Sequence, residues 1–185
     1  MTGPPARTND FPFDDGEWAG VLADGLSRDS AAAEIPYKRS KPAVDAALDR
    51  LLSITHSRAT GLWRATDEFL IQVAFRAVPD MPADVREEFR RITARLPLAR
   101  TDLGVVKAAV TGQPVAAYRT VKAGGLAGSA TWLERFACRQ SLAVPIYTGE
   151  HLRGVIAIST PEEFTAESDT WKRMVELARA IGENA

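Results

Sequence analysis

Cysteine and histidine are scarce in this chain: one cysteine, Cys138, and two histidines, His56 and His151, in 185 residues. A single cysteine excludes an intrachain disulfide framework and fits a reducing compartment. One Cys and two distant His supply no obvious zinc site, which needs four protein ligands, or three when catalytic. An excess of one charge is also missing. The 23 basic and 24 acidic side chains leave a net charge of −1. The basic surplus of nucleic-acid modules is therefore absent, as is any polybasic run. No apolar stretch approaches the ~18 residues that span a bilayer. The N-terminus shows no basic start followed by an apolar core, so no secretory leader is expected. These absences predict a cytoplasmic protein with neither a nucleic-acid nor a membrane partner. Gly124-Gly125-Leu-Ala-Gly128 lacks the Lys-Ser/Thr end of a phosphate loop. No Ser/His/Asp order or nucleophile elbow is present.

What is there is an apolar hairpin near the C-terminus. Residues 141–147 and 152–158 are two apolar runs around Thr148-Gly-Glu150, a hairpin signal. Residues 161–169 follow, then a helical pattern over 165–182 with Trp171, Met174, Val175, Ala178 and Ile181 on one face. Thr165, Ser168 and Asp169 are its candidate caps.

Earlier in the chain, residues 1–15 read as an unstructured tail. Residues 16–26 read as a short helix weakened by Gly16, Gly20 and Gly25. A linker over 27–40 leads to a helix over 41–56, whose stripe is Val44, Ala47, Leu48, Leu51, Leu52 and Thr55. Strands are predicted at 62–64 and 69–75, around a turn at 65–68. Helices are predicted at 83–95 and 101–111, the second capped by Thr101 and stopped by Gly112. A strand at 114–118, a Gly-rich loop at 120–129 and a short helix at 130–137 precede the hairpin. Antiparallel strands bracketed by helices predict an α+β fold.

The order of these pieces resembles a GAF domain over about residues 41–183, with residues 1–40 as an N-terminal extension and 41–185 as the GAF-like domain. The resemblance rests on Trp63-Arg64 after a helix, Leu96-Pro-Leu98, Leu103-Gly104, Thr111-Gly-Gln-Pro-Val115, Ser141 to Pro145, Gly154 to Ile158 and Phe164-Thr165. It implies a PAS-related, six-stranded antiparallel sheet. The first and last helices would lie on one face, and short helices and loops would cover a pocket on the other. Family ligands include cyclic nucleotides, bilins, haem and small metabolites, and many members act as dimerisation modules.

The residues disfavour several of these ligands. Cyclic-nucleotide members carry an Asn-Lys pair ahead of Phe-x-x-x-Asp-Glu, whereas Phe164 is followed by Ser168-Asp169. Bilin members attach pigment to a Cys commonly followed by His, but Cys138 is followed by Arg139. Haem needs an axial ligand in the pocket, and His56 and His151 fall at a helix end and in the hairpin turn. One enzymatic lineage reduces free methionine sulfoxide and resembles this chain around Phe136-Ala-Cys138 and Gly104-Val105. That chemistry needs a second thiol to resolve the product, and Val106 stands where a partner Cys is expected. No cofactor is assigned.

The candidate ligand-binding residues are Tyr118, Arg119, Lys122, Trp132, Phe136, Arg139 and Ser141, in segments that roof GAF pockets. The three cations could meet an anion. Trp132 and Phe136, four apart, read equally as the buried face of a short helix. The stripes of 41–56 and 165–183, with Trp171 and Met174, predict a homodimer. The first reading is a non-enzymatic regulatory sensor that holds a small ligand, an anion being one option, and signals through its terminal helices to a separate protein. The alternatives are a ligandless dimerisation scaffold and, third, a thiol reductase using Cys138.

Overall fold

In a computed structural model, which describes residues 15–27, 42–120 and 125–185, six strands form one antiparallel sheet. The helices are α1 (Asp15–Leu26), α2 (Pro42–Ile54), α3 (Ala83–Thr93), α4 (Gly104–Thr111), α5 (Ala127–Arg135) and α6 (Asp169–Glu183). The strands are β1 (Ala59–Ala65), β2 (Phe69–Ala77), β3 (Arg95–Pro97), β4 (Val115–Tyr118), β5 (Gln140–Thr148) and β6 (His151–Thr160), in the order β3-β2-β1-β6-β5-β4. This is the predicted α+β, six-stranded architecture.

Side-chain alternation divides the sheet into two faces. Leu62, Leu142, Val144, Ile146, Ile156 and Ile158 pack with α1, α2 and α6. Trp63, Ala143, Val155 and Ala157 pack with α4. Ala59, Phe75 and Ala117 meet α3 and α5 residues.

The hairpin of β5 and β6 forms as expected, with Gly149 at positive φ in its turn and a bulge that leaves Arg153 the extra residue. Buried Gln140, at the start of β5, holds the segment between β6 and α6. Its side-chain amide donates to the Phe164 carbonyl (3.0 Å) and accepts from the Phe164 N–H (2.7 Å). Ser168 caps α6, its Oγ accepting from the Trp171 N–H at 3.2 Å. Gly112 stops α4 in the left-handed region, as its position predicted.

Three sequence expectations need correction. Thr101 does not cap α4. The chain turns between Arg100 and Leu103, the helix starts at Gly104, and the Gly104 N–H donates to Ser129 Oγ at the start of α5 (2.8 Å). Part of the Gly-rich loop belongs to α5, which begins at Ala127. Met174, which the stripe of the last helix predicts at a partner surface, is instead buried. It is 1% exposed and packs within the chain.

The helix expected over 16–26 is present as α1, despite its glycines. Ala19, Leu22, Ala23 and Leu26 are buried in the core shared with α2 and α6. Gly25 leaves no spare room: a Cβ there would lie 3.2–3.4 Å from Val44, Leu62 and Val73. Tertiary packing thus overrides the weak local propensity. The family resemblance begins only at residue 41, yet α1 covers part of the surface on which α2 and α6 would otherwise lie open.

Candidate functional site

On the face opposite α1, the central strands present small side chains. Ala59 of β1, Ser159 of β6 and Ser141 of β5 stand in one cross-strand row. Gly61, Ala157 and Ala143 form the next. The helices rest on larger neighbours, so a cavity of about 60 Å³ remains between sheet and helices. The absent side chain of Gly61 is part of this design: the Trp63 ring folds back over it, and a Cβ would clash with the six-membered ring of the indole. Trp63 is pinned there by its Nε1–H, which donates to the Thr93 carbonyl at 3.1 Å.

The walls and roof are aromatic. Phe89 of α3 is the hub, with its ring 4.6 Å from Phe75, 5.0 Å from Trp132 and 5.0 Å from Phe136. It meets Trp132, Phe136 and, at 6.5 Å, Trp63 in edge-on geometry, the arrangement the ring quadrupoles favour. No charged side chain lines the space among the described residues. Among the described residues, Arg90 and Arg135 stand over lining rings, Phe75 and Trp132, without lining the cavity themselves. Arg135 sits 4.5 Å over Trp132 and pairs with Glu88 at 2.6 Å, tying α5 to α3. That hydrogen bond holds the Glu88 carboxyl below its usual range. Arg58 Nε–H holds the far end of α5 by donating to the Phe136 carbonyl (2.8 Å).

Of the seven sequence candidates, the structure brings Trp132, Phe136 and Ser141 together around this cavity. Lys122 lies outside the described residues. Tyr118 is 44% exposed, and Arg119 and Arg139 are exposed. The reason is the two-residue period of a strand: Ala117 and Ser141 take the cavity face, so Tyr118 turns away from it. Arg119 and Arg139 therefore do not line this cavity. Trp63, Phe75, Phe89, Ser129 and Ser159 went unnoticed. The signal for the floor was legible, as small residues at alternate positions in Ala59-x-Gly61, Ser141-x-Ala143 and Ala157-x-Ser159.

Cys138 is wholly buried and is not a lining residue. Its thiol lies 3.6 Å from the Phe136 carbonyl as a weak donor. Burial pushes the thiol up to about 12, against a small opposing pull from Arg58. His56 and His151 are exposed. Among the described residues no cluster of three or more His, Cys, Asp or Glu could hold a metal ion. No helix among them is long and apolar enough to cross a membrane.

No curated protein matches the chain in sequence. Among solved structures, it is similar to the GAF domain of A. aeolicus nlh2 in an inactive state, at 12% identity and TM-score 0.57, covering 91% of this chain and 93% of that one. It is similar to the type II free methionine-R-sulfoxide reductase of Thermoplasma acidophilum, at 14% identity and TM-score 0.55, covering 87% and 92%. A third is the GAF domain of a two-component sensor histidine kinase from Bacillus halodurans, at 14% identity and TM-score 0.56, covering 74% and 87%. At such identities the likeness is one of fold. The family model for the GAF domain matches residues 41–185, and the chain belongs to the GAF domain family.

Proposed function

We propose that this protein is a non-enzymatic sensor module that holds a small, uncharged molecule in the cavity between the sheet and α3 and α5. The supporting observation is an aromatic-walled space whose described lining carries no charge. Moving an ion into such a place costs far more than moving a neutral molecule. The anionic option raised by Arg119, Lys122 and Arg139 gives way to a neutral ligand, because the two described arginines lie outside. Occupancy reaches the other side of the sheet through β1, β5 and β6. These strands carry Gly61, Ala143 and Ala157 on the cavity face and Leu62, Leu142 and Ile156 against α1, α2 and α6. A separate protein would read those helices.

The scaffold reading is favoured by the small size of the cavity. The reductase reading shares the fold of the Thermoplasma enzyme, but a thiol held near pKa 12 is protonated at neutral pH and a poor nucleophile. Native mass spectrometry of the full chain, before and after denaturation, tests the sensor reading. A reproducible neutral mass released on denaturation is expected. A clean apo protein that no small-molecule library stabilises would favour the scaffold. Turnover of free methionine sulfoxide lost in Cys138→Ser would favour the reductase.

A further inference from the structure

Two hydroxyl groups on the cavity floor have no hydrogen-bond partner among the described residues. Ser141 and Ser159 are directly paired across β5 and β6 and both line the cavity. Neither side chain makes a hydrogen bond among the described residues. A third hydroxyl, Ser129, accepts from the Gly104 N–H and keeps its own proton to donate. Phe89, Trp132 and Phe136 close the space from α3 and α5, as Ser129 does, while Trp63 and Phe75 come from β1 and β2 of the sheet. The space therefore has two hydroxyls on its sheet side, one on its helix side, and rings from both. A ligand meeting rings and hydroxyls needs a flat apolar body and one polar edge.

Resting on the sensor reading, we propose that the cavity takes an uncharged single-ring aromatic molecule bearing one hydrogen-bonding substituent, with Ser141 and Ser159 reading that substituent. The size sets the upper limit. At about 60 Å³ the cavity has less than half the ~150 Å³ of an engineered cavity that accepts benzene. One ring would enter only with α5 displaced, and two fused rings would need a still larger displacement. The roof permits this, since Ser129 and Trp132 are only half-buried and the Arg135–Glu88 pair that ties α5 to α3 is open to solvent. A carboxylate on the ring would lose its hydration with no cation in the described lining to receive it.

The test is a binding panel of phenol, benzene, cyclohexanol and benzoate, read by calorimetry and thermal shift on the full chain. Phenol is expected to bind about tenfold more tightly than benzene, the order of one well-made buried hydrogen bond. Cyclohexanol should bind more weakly than phenol, and benzoate should not bind. In Ser141→Ala/Ser159→Ala the preference for phenol over benzene should vanish while benzene binding persists. Should the double variant not fold, Ser159→Ala alone should narrow the ratio. A phenol preference that survives loss of both hydroxyls overturns the proposal, as does benzoate binding as tightly as phenol or no binding by any probe. A non-aromatic neutral mass in the native spectrum would sink the ligand class and leave the sensor reading standing. A clean apo spectrum with no probe binding would sink both.

Discussion

The two faces of one sheet differ sharply, although the same strands make both. Along β5, Leu142, Val144 and Ile146 face α1, α2 and α6, whereas Ser141 and Ala143 face the cavity. Along β6, Ile156 and Ile158 oppose Ala157 and Ser159 in the same way. The first face buries large aliphatic groups of the strands, and its recess of about 40 Å³ lies between α2 and α6, away from the sheet. The second keeps its centre small and moves its bulk to the aromatic rim. The large face accounts for stability, and the small face reserves space. A strand can carry both instructions because its side chains alternate.

Substitutions can break this contrast from either side. The largest effect is expected on the packed face. Leu142→Ala removes a fully buried side chain and should cost about 2–5 kcal/mol, measured by urea denaturation. On the cavity face, Gly61→Ala forces the Trp63 ring from its seat and strains its bond to Thr93. A loss of about 1–3 kcal/mol is expected, as for overpacking, with a changed near-ultraviolet dichroism from the moved indole. Ala157→Val should act with the opposite sign. Two methyl groups enter unfilled space on a strand that favours β-branching, and a gain of about 0.5–2 kcal/mol is expected.

The smallest effect is a pH slope. The folded Cys138 thiol keeps its proton up to about 12, while the unfolded one releases it near 9.0. The stability from this group is complete below about pH 9 and falls as pH rises toward 12. The Cys138→Ala variant should lose stability less steeply than the parent over that window, in paired melting curves. Parallel curves would show the thiol to be accessible.

How far the sequence could be read follows from what each segment depends on. The hairpin, the Gly112 stop and α6 were legible because local pattern decides them. The short edge strand β3 was not, since three residues carry too little period to declare a strand. The strength of α1 was hidden as well, because its glycine, a weak point in isolation, is a contact surface against Val44 and Leu62. At the site, Trp132 and Phe136 follow from the resemblance, in a segment that roofs GAF pockets, while their four-residue spacing argues for core; they are both. Phe89 lies 43 residues before Trp132 in the chain, and only the packing of α3 on α5 makes it the hub. Arg119 and Arg139 misled because their charge, not their position in the strand alternation, argued for a ligand.

One comparison bears most directly on whether the small-residue face is reserved for a ligand: native mass spectra of the parent chain and of Ala157→Val, each taken before and after denaturation. The parent should release a small neutral molecule, and the folded, more stable variant should carry none. A variant that retains the same mass, or a parent that is apo and binds no small neutral probe, would contradict the assignment of this cavity.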